Sequence, residues 1–250
     1  MVSSFSHPIY DAVRPWLGIE RSLDALNRAA AARELRTQSG KPVRFVPAGA
    51  RRSAYELRVH ETGEIATRPD TLHDWFNALC WLAFPRTKAC INAMHAAEIP
   101  RESGQRGRLR DLLTIFDEGG AIVICGDEEL NRLLRELRWK ELFWDRRERV
   151  KEAMRFVVLG HAVLEQALKP WPGVTCKALF APLGGELDLA AAAWLASRGD
   201  DASPRELAPL PVFGYPGWAD NERAEFYDDE RYFRDTKRGG AAQTKRGGPA

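Results

Sequence analysis

What the 250-residue sequence lacks narrows its chemistry first. It has no Gly-x-Gly-x-x-Gly and no Gly-x-x-x-x-Gly-Lys-Ser/Thr, so the common dinucleotide and P-loop cradles are missing. Nor does it have a Gly-x-Ser-x-Gly elbow or a His-Glu-x-x-His pair. Its cysteines, Cys80, Cys90, Cys125 and Cys176, form no Cys-x-x-Cys and no Cys/His couple at finger spacing. Cys80 and Cys125 sit in apolar runs and read as small buried hydrophobes, reduced thiols of a cytoplasmic protein. No apolar run reaches the roughly 18 residues of a membrane helix, and the first residues carry no apolar signal core. Charge has no excess of one sign, 37 basic against 35 acidic residues, which argues against a dedicated nucleic-acid binder.

What is present indicates an α+β protein, mainly helical, forming a single domain over residues 1–235 with short strands. Ile19 to Leu35 repeats as an amphipathic helix, and residues 43–46 alternate as a strand. Alternation at 55–59 and a Thr62-Gly63 turn predict a β-hairpin over 54–67. Leu72, Trp75, Phe76, Leu79 and Leu82 predict a helix that Pro85 interrupts, with a second from about Arg86 to Ala97. Leu109, Leu112, Leu113 and Phe116 predict a helix stopped by Gly119-Gly120, with a buried strand over 121–125. Asp127 caps the next helix, and apolar spacing predicts one long helix over 146–168. A strand over 174–180 and a helix over 186–198 follow. Beyond Pro204, prolines and seven aromatics predict an extended arm, 204–235, that wraps the domain without regular structure. Residues 236–250 are basic and Gly-rich, hence a disordered tail suited at most to weak anion or nucleic-acid contact.

Three polar clusters interrupt the apolar faces. In the first, His73 and Asn77 share one helix face and Lys88, Asn92 and His95 another, with Asp74 beside them. A bend at Pro85 would bring the faces together, offering acid–base groups, an anion clamp or metal ligands. The competing reading makes Asp74 a helix-start residue and leaves Lys88 and Asn92 in solvent. The second cluster sets Arg106, Arg108 and Arg110 near Asp117 and Glu118, suited to phosphate and to a divalent cation. An exposed basic loop is its bland alternative. The third pairs His161 with Glu165 one turn later, which reads most simply as a satisfied core histidine.

Several blocks together are specific. They are His73-Asp74-Trp75-Phe76-Asn77-Ala78, Trp81-Leu82-Ala83-Phe84-Pro85-Arg86-Thr87-Lys88, Arg106-Gly107-Arg108-Leu109-Arg110-Asp111 and Thr114-Ile115-Phe116-Asp117-Glu118. Trp139 to Trp144, Gly160-His161-Ala162, Pro216-Gly217-Trp218 and Phe226-Tyr227-Asp228-Asp229 continue the series. In these the chain resembles a bacterial domain-of-unknown-function family, number 3025. The resemblance runs from about residue 7 to 235 and implies one complete family domain with the arm included. It carries over no activity and no catalytic residue.

The leading expectation is an enzyme-like polar site with His73, Asp74, His95 and Asp117 as catalytic candidates. Asn77, Lys88, Asn92, Arg108 and Arg110 are ligand-binding candidates. A metal-dependent hydrolase of a phosphate-bearing or acidic substrate fits this set, with His73, His95, Asp117, Glu118 and His161 around a divalent ion. The alternative is a non-catalytic module for an acidic partner or nucleic acid. A deep pocket uniting His73, His95 and Asp117 favours the enzyme, and a flat basic surface favours the module.

Overall fold

The computed structural model describes residues 5–49, 55–102, 104–169, 171 and 173–234. The tail expected over 236–250 lies outside the described residues. Two short 3-10 turns, Pro8–Tyr10 and Arg14–Trp16, lead to helix α1, Leu23–Ala32, shorter than the span read from the sequence. The Ser22 hydroxyl caps α1 by accepting the Ala25 N–H at 3.2 Å.

Strand β1, Arg44–Pro47, pairs in parallel with β2, Glu64–Thr67, and between them lies helix α2, Tyr55–Thr62. The hairpin expected over 54–67 is therefore wrong. Tyr55 and Val59 alternate, but they are also one helical turn apart. Gly63 decides the matter: it sits at φ 76, and its N–H donates to the Val59 carbonyl at 2.9 Å, the geometry of a helix stop. A Cβ there would lie 2.1 Å from the Pro42 carbonyl oxygen, so only glycine fits.

Helices α3, Leu72–Ala83, and α4, Pro85–Glu98, meet at Phe84 as the proline predicts. Pro85 needs no hydrogen-bond acceptor, and the next two N–H groups are capped from far along the chain. Asp188 accepts from Arg86 N and Thr87 N, both at 2.8 Å, and is itself buried. Replacing Asp188 with alanine leaves both donors unmet, the Thr87 one buried, and should cost about 2 kcal/mol. Asp188→Asn, which keeps an acceptor oxygen, should recover part of that loss in a urea midpoint. Equal midpoints for wild type and alanine variant would show that the cap carries no stability.

Helix α5, Arg108–Gly119, runs directly into strand β3, Gly120–Cys125, which is buried along its whole length. Helix α6, Glu128–Arg135, starts on Asp127, whose carboxylate accepts the Glu129 and Leu130 N–H groups. A π-helical turn, Glu141–Asp145, buries Leu142 and Phe143. The long helix expected over 146–168 is three elements: α7, Arg147–Ala153; strand β4, Met154–Val158; and α8, His161–Gln166. Helical spacing was present, but Met154, Phe156 and Val158 also alternate, and pairing with β3 buries all three. Gly160 then lets the chain cross the start of β3, because a Cβ there would fall 2.5 Å from Gly120 N.

Strand β5, Thr175–Ala181, helix α9, Leu187–Ala196, and strand β6, Ala208–Pro211, complete a mixed sheet of order β4-β3-β5-β6. The arm is thus not wholly irregular: after a 3-10 turn, Pro204–Glu206, it forms an edge strand, where Pro209 and Pro211 are tolerated. Ala121, Val123 and Cys125 face one core with α3, α6 and the arm, while Ile122 and Ile124 face a second with α5 and α9. Phe213, Trp218, Tyr227, Tyr232 and Phe233 of the arm are buried in the first core. The Tyr232 hydroxyl donates to Val174 O at 2.8 Å and accepts from Phe213 N at 2.9 Å. This is an α+β fold with helices on both faces of a small sheet. Among the described residues, no helix is long and apolar enough to cross a membrane.

Candidate functional site

A cleft of about 960 Å³ opens between α2, α3, α4, α5 and the start of α8. His73, Asp74, Asn77, His95, Arg110, Asp117, Glu118 and His161, all singled out in the sequence, line it. The bend before Pro85 does bring the faces of α3 and α4 together. Lys88 and Asn92 stand behind the wall, 4% and 2% exposed, not in solvent. Arg108 is exposed and outside the cleft lining.

The floor is a pair of imidazoles. His73 Nε2 lies 3.2 Å from His161 Nε2, with ring centroids 4.6 Å apart. His161 is buried, and its Nδ1 lies 2.8 Å from the Asp117 backbone carbonyl. A carbonyl only accepts, so His161 Nδ1 carries the proton. Burial pushes the His161 pKa down to about 4, only partly offset by the Asp117 carboxylate. Its Nε2 is therefore a lone pair aimed at His73, and His73 Nε2 is the donor between them. On the far side, His73 Nδ1 lies 3.2 Å from Glu165 Oε2. The pairing of His161 with Glu165 expected from their spacing is corrected: Glu165 serves His73, and a backbone carbonyl serves His161. His73 has His161 as its neighbouring imidazole, not His95.

Beside this pair the Lys88 ammonium donates to Asp117 Oδ1 at 2.5 Å and to Asn77 Oδ1 at 2.7 Å, 5.8 Å from the centre of the Trp81 ring. Burial raises the Asp117 pKa, but Lys88 and His161 outweigh it and hold the carboxyl below its usual range. Asp74 has both oxygens engaged by Arg68, through its backbone N–H and its guanidinium, so it fastens the start of α3. Asn92 donates to Glu56 Oε2 at 2.7 Å, and burial lifts the Glu56 carboxyl above its ordinary range. His95 Nδ1 accepts from Arg110 Nε at 3.2 Å.

The proposed ligand set of His73, His95, Asp117, Glu118 and His161 does not assemble. Among the described residues, no group of three or more His, Cys, Asp or Glu is placed to hold a metal ion. The physical reason is local: Lys88 occupies the Asp117 carboxylate and the imidazoles spend their nitrogens on each other.

Four polar cleft residues escaped the sequence reading: Tyr55, Glu56 and Arg58 on α2, and Arg68 before α3. The signal for the first three was Gly63, which stops a helix as readily as it turns a hairpin. Arg58, Arg106 and Arg110 line the cleft, while their partners Glu64, Asp111 and Glu102 lie outside its lining. With Arg68 they make four cations, set against the four carboxyl groups of Glu56, Asp74, Asp117 and Glu118.

Comparison with curated proteins and comparison with solved structures each give no match. A family model described as a protein of unknown function, DUF3025, matches residues 43–237, a span that opens on β1 and takes in every side chain of the cleft. The chain belongs to the DUF3025 family.

Proposed function

We propose that the cleft is an acid–base active site for a phosphate-bearing or acidic substrate. The observation that carries this is the His73–His161 contact at the cleft floor, one imidazole supplying a proton and the other a lone pair. Their roles follow from what stands behind each ring. The Asp117 carbonyl fixes His161 as an Nδ1–H tautomer whose Nε2 accepts from His73. Glu165, 3.2 Å from His73 Nδ1, orients that ring and is a positioning residue for it. Arg58, Arg106 and Arg110 in the lining are the donors for an anionic substrate. No metal enters this reading, because a cation beside Asp117 would meet the Lys88 ammonium.

A panel of p-nitrophenyl phosphate mono- and diesters, with the full chain in buffer, tests the proposal. The wild type should turn over at least one ester. His73→Ala should lower that rate about a hundredfold, within the usual worth of a positioned acid or base. The His73 side chain is 41% exposed, so circular dichroism of the variant should match the wild type. Esters that bind without turnover would overturn the enzyme and leave the cleft a binding module. A rate untouched by His73→Ala would remove the imidazole pair from the chemistry.

A further inference from the structure

His95 has no part in the imidazole pair, yet it lines the same cleft and is 3% exposed. Its Nδ1 accepts from Arg110 Nε at 3.2 Å. A guanidinium donates and never accepts, so this bond needs a lone pair on Nδ1 and leaves the ring proton on Nε2. A protonated His95 would put two donors face to face. Among the described residues, Nε2 has no hydrogen-bond partner, although it belongs to a side chain almost wholly removed from water. An N–H without a protein partner in the wall of the cleft is a place where a ligand atom fits.

Arg110 is fixed in turn by Glu102, and Gly107 N donates to the same carboxylate at 2.6 Å. Arg106 joins this end of the cleft, bonded to Thr114 and to the Arg110 carbonyl. On α5 the residues Arg110, Thr114 and Asp117 are spaced i, i+4, i+7 and all line the cleft. Seven residues of helix rise about 10 Å, so Arg110 stands that far along the axis from Asp117, which anchors His161. The two ends of the cleft therefore do different work.

We infer that His95 Nε2–H, with the guanidiniums of Arg106 and Arg110, forms a second subsite that holds an anionic oxygen, phosphoryl or carboxylate, about two turns along α5 from Asp117, the residue that anchors His161. The inference rests on the acid–base reading of the cleft and narrows its substrate. The substrate is an extended molecule with a non-reacting anionic group at one end and the scissile bond at the other. Binding energy gained at the anion then helps to orient the reacting end. Burial first, then the cations Arg110, Arg106 and Lys88, keep the His95 ring neutral against the opposing pull of Asp117.

The full-length protein, labelled with 15N at histidine, tests this without any enzymatic activity. Long-range 1H–15N spectra should show His95 as the Nε2–H tautomer, and inorganic phosphate should shift its Nε2 signal before those of His73 and His161. His95→Ala should weaken phosphate binding about tenfold in isothermal titration, the worth of one well-placed hydrogen bond. His95→Gln, whose amide can restore a donor near the same place, should return affinity to within about twofold of wild type. An Nδ1–H tautomer, or phosphate binding that leaves the His95 signals unmoved, would overturn the subsite even if the alanine variant failed to fold. A lost ester turnover in His73→Ala with intact phosphate shifts at His95 would leave both readings standing. Intact shifts with unchanged turnover would sink the acid–base reading alone.

Discussion

Lys88→Met should lower the stability of the fold by about 3 kcal/mol, the low end of the cost of breaking a buried ion pair. The methionine keeps the length and apolar contacts of the lysine stem over Trp81 but withdraws the ammonium. Asp117 Oδ1 and Asn77 Oδ1 each then lose a donor, in a wall where Lys88 is 4% exposed. The low end is the right one because Asp117 lines the cleft and keeps contact with water. For a domain of this size the melting temperature should fall by roughly 6–12 °C. Lys88→Met combined with Asp117→Asn, which removes the stranded charge, should recover most of the loss. If the double variant melts as low as the single one, the pair is not what Lys88 contributes.

The second large effect is acid sensitivity well above the usual carboxylate range. His95 and His161 are each held at a pKa of about 4 against 6.5 in a free chain, by burial first, with Arg110 adding to it for His95 and Lys88 for His161. Between those values the unfolded chain takes up protons that the folded chain refuses, so stability falls as pH falls. The contribution is complete above pH 6.5 and is lost progressively on the way down to about pH 4. The span from 6.5 to about 4 corresponds to roughly 3 kcal/mol for each imidazole. Asp117, held low by Lys88, acts in the same direction at still lower pH. Urea midpoints at pH 7.5, 5.5 and 4.5 should fall steeply, and His95→Gln should flatten part of the slope. A midpoint independent of pH across this window would show that neither ring is held neutral.

Much of the cleft was legible because its polar residues interrupt strong helical patterns. In α3 dense apolar spacing gives His73 and Asn77 a defined face, in α4 the i, i+4, i+7 spacing alone puts Lys88, Asn92 and His95 together, and Pro85 gives the bend. The second imidazole of the floor was not legible in the same way. His161 reaches His73 only because residues 154–158 form a strand beside β3, and that stretch satisfies period 2 and period 3.6 together. The choice is made by β3, a partner far away in sequence. The same holds for α2, where eight residues with a single buried side chain, Val59, give periodicity little to count. Asp188 shows the limit most plainly: a carboxylate in an apolar helix, capping another helix about a hundred residues earlier, has no local signature at all.

The cleft draws its lining from α2, α3, α4, α5 and α8, segments that have no reason to meet in an unfolded chain. Whatever small molecule settles among them is therefore a ligand of the folded state alone. Mass action then couples occupancy to folding: at a hundred times its Kd a ligand adds about 2.7 kcal/mol to the whole domain. The melting curve of the purified protein is thus a detector for any ligand of the cleft, needing no knowledge of what that ligand undergoes there. In a cell the same coupling would tie the abundance of the folded chain to the supply of any compound that settles in it.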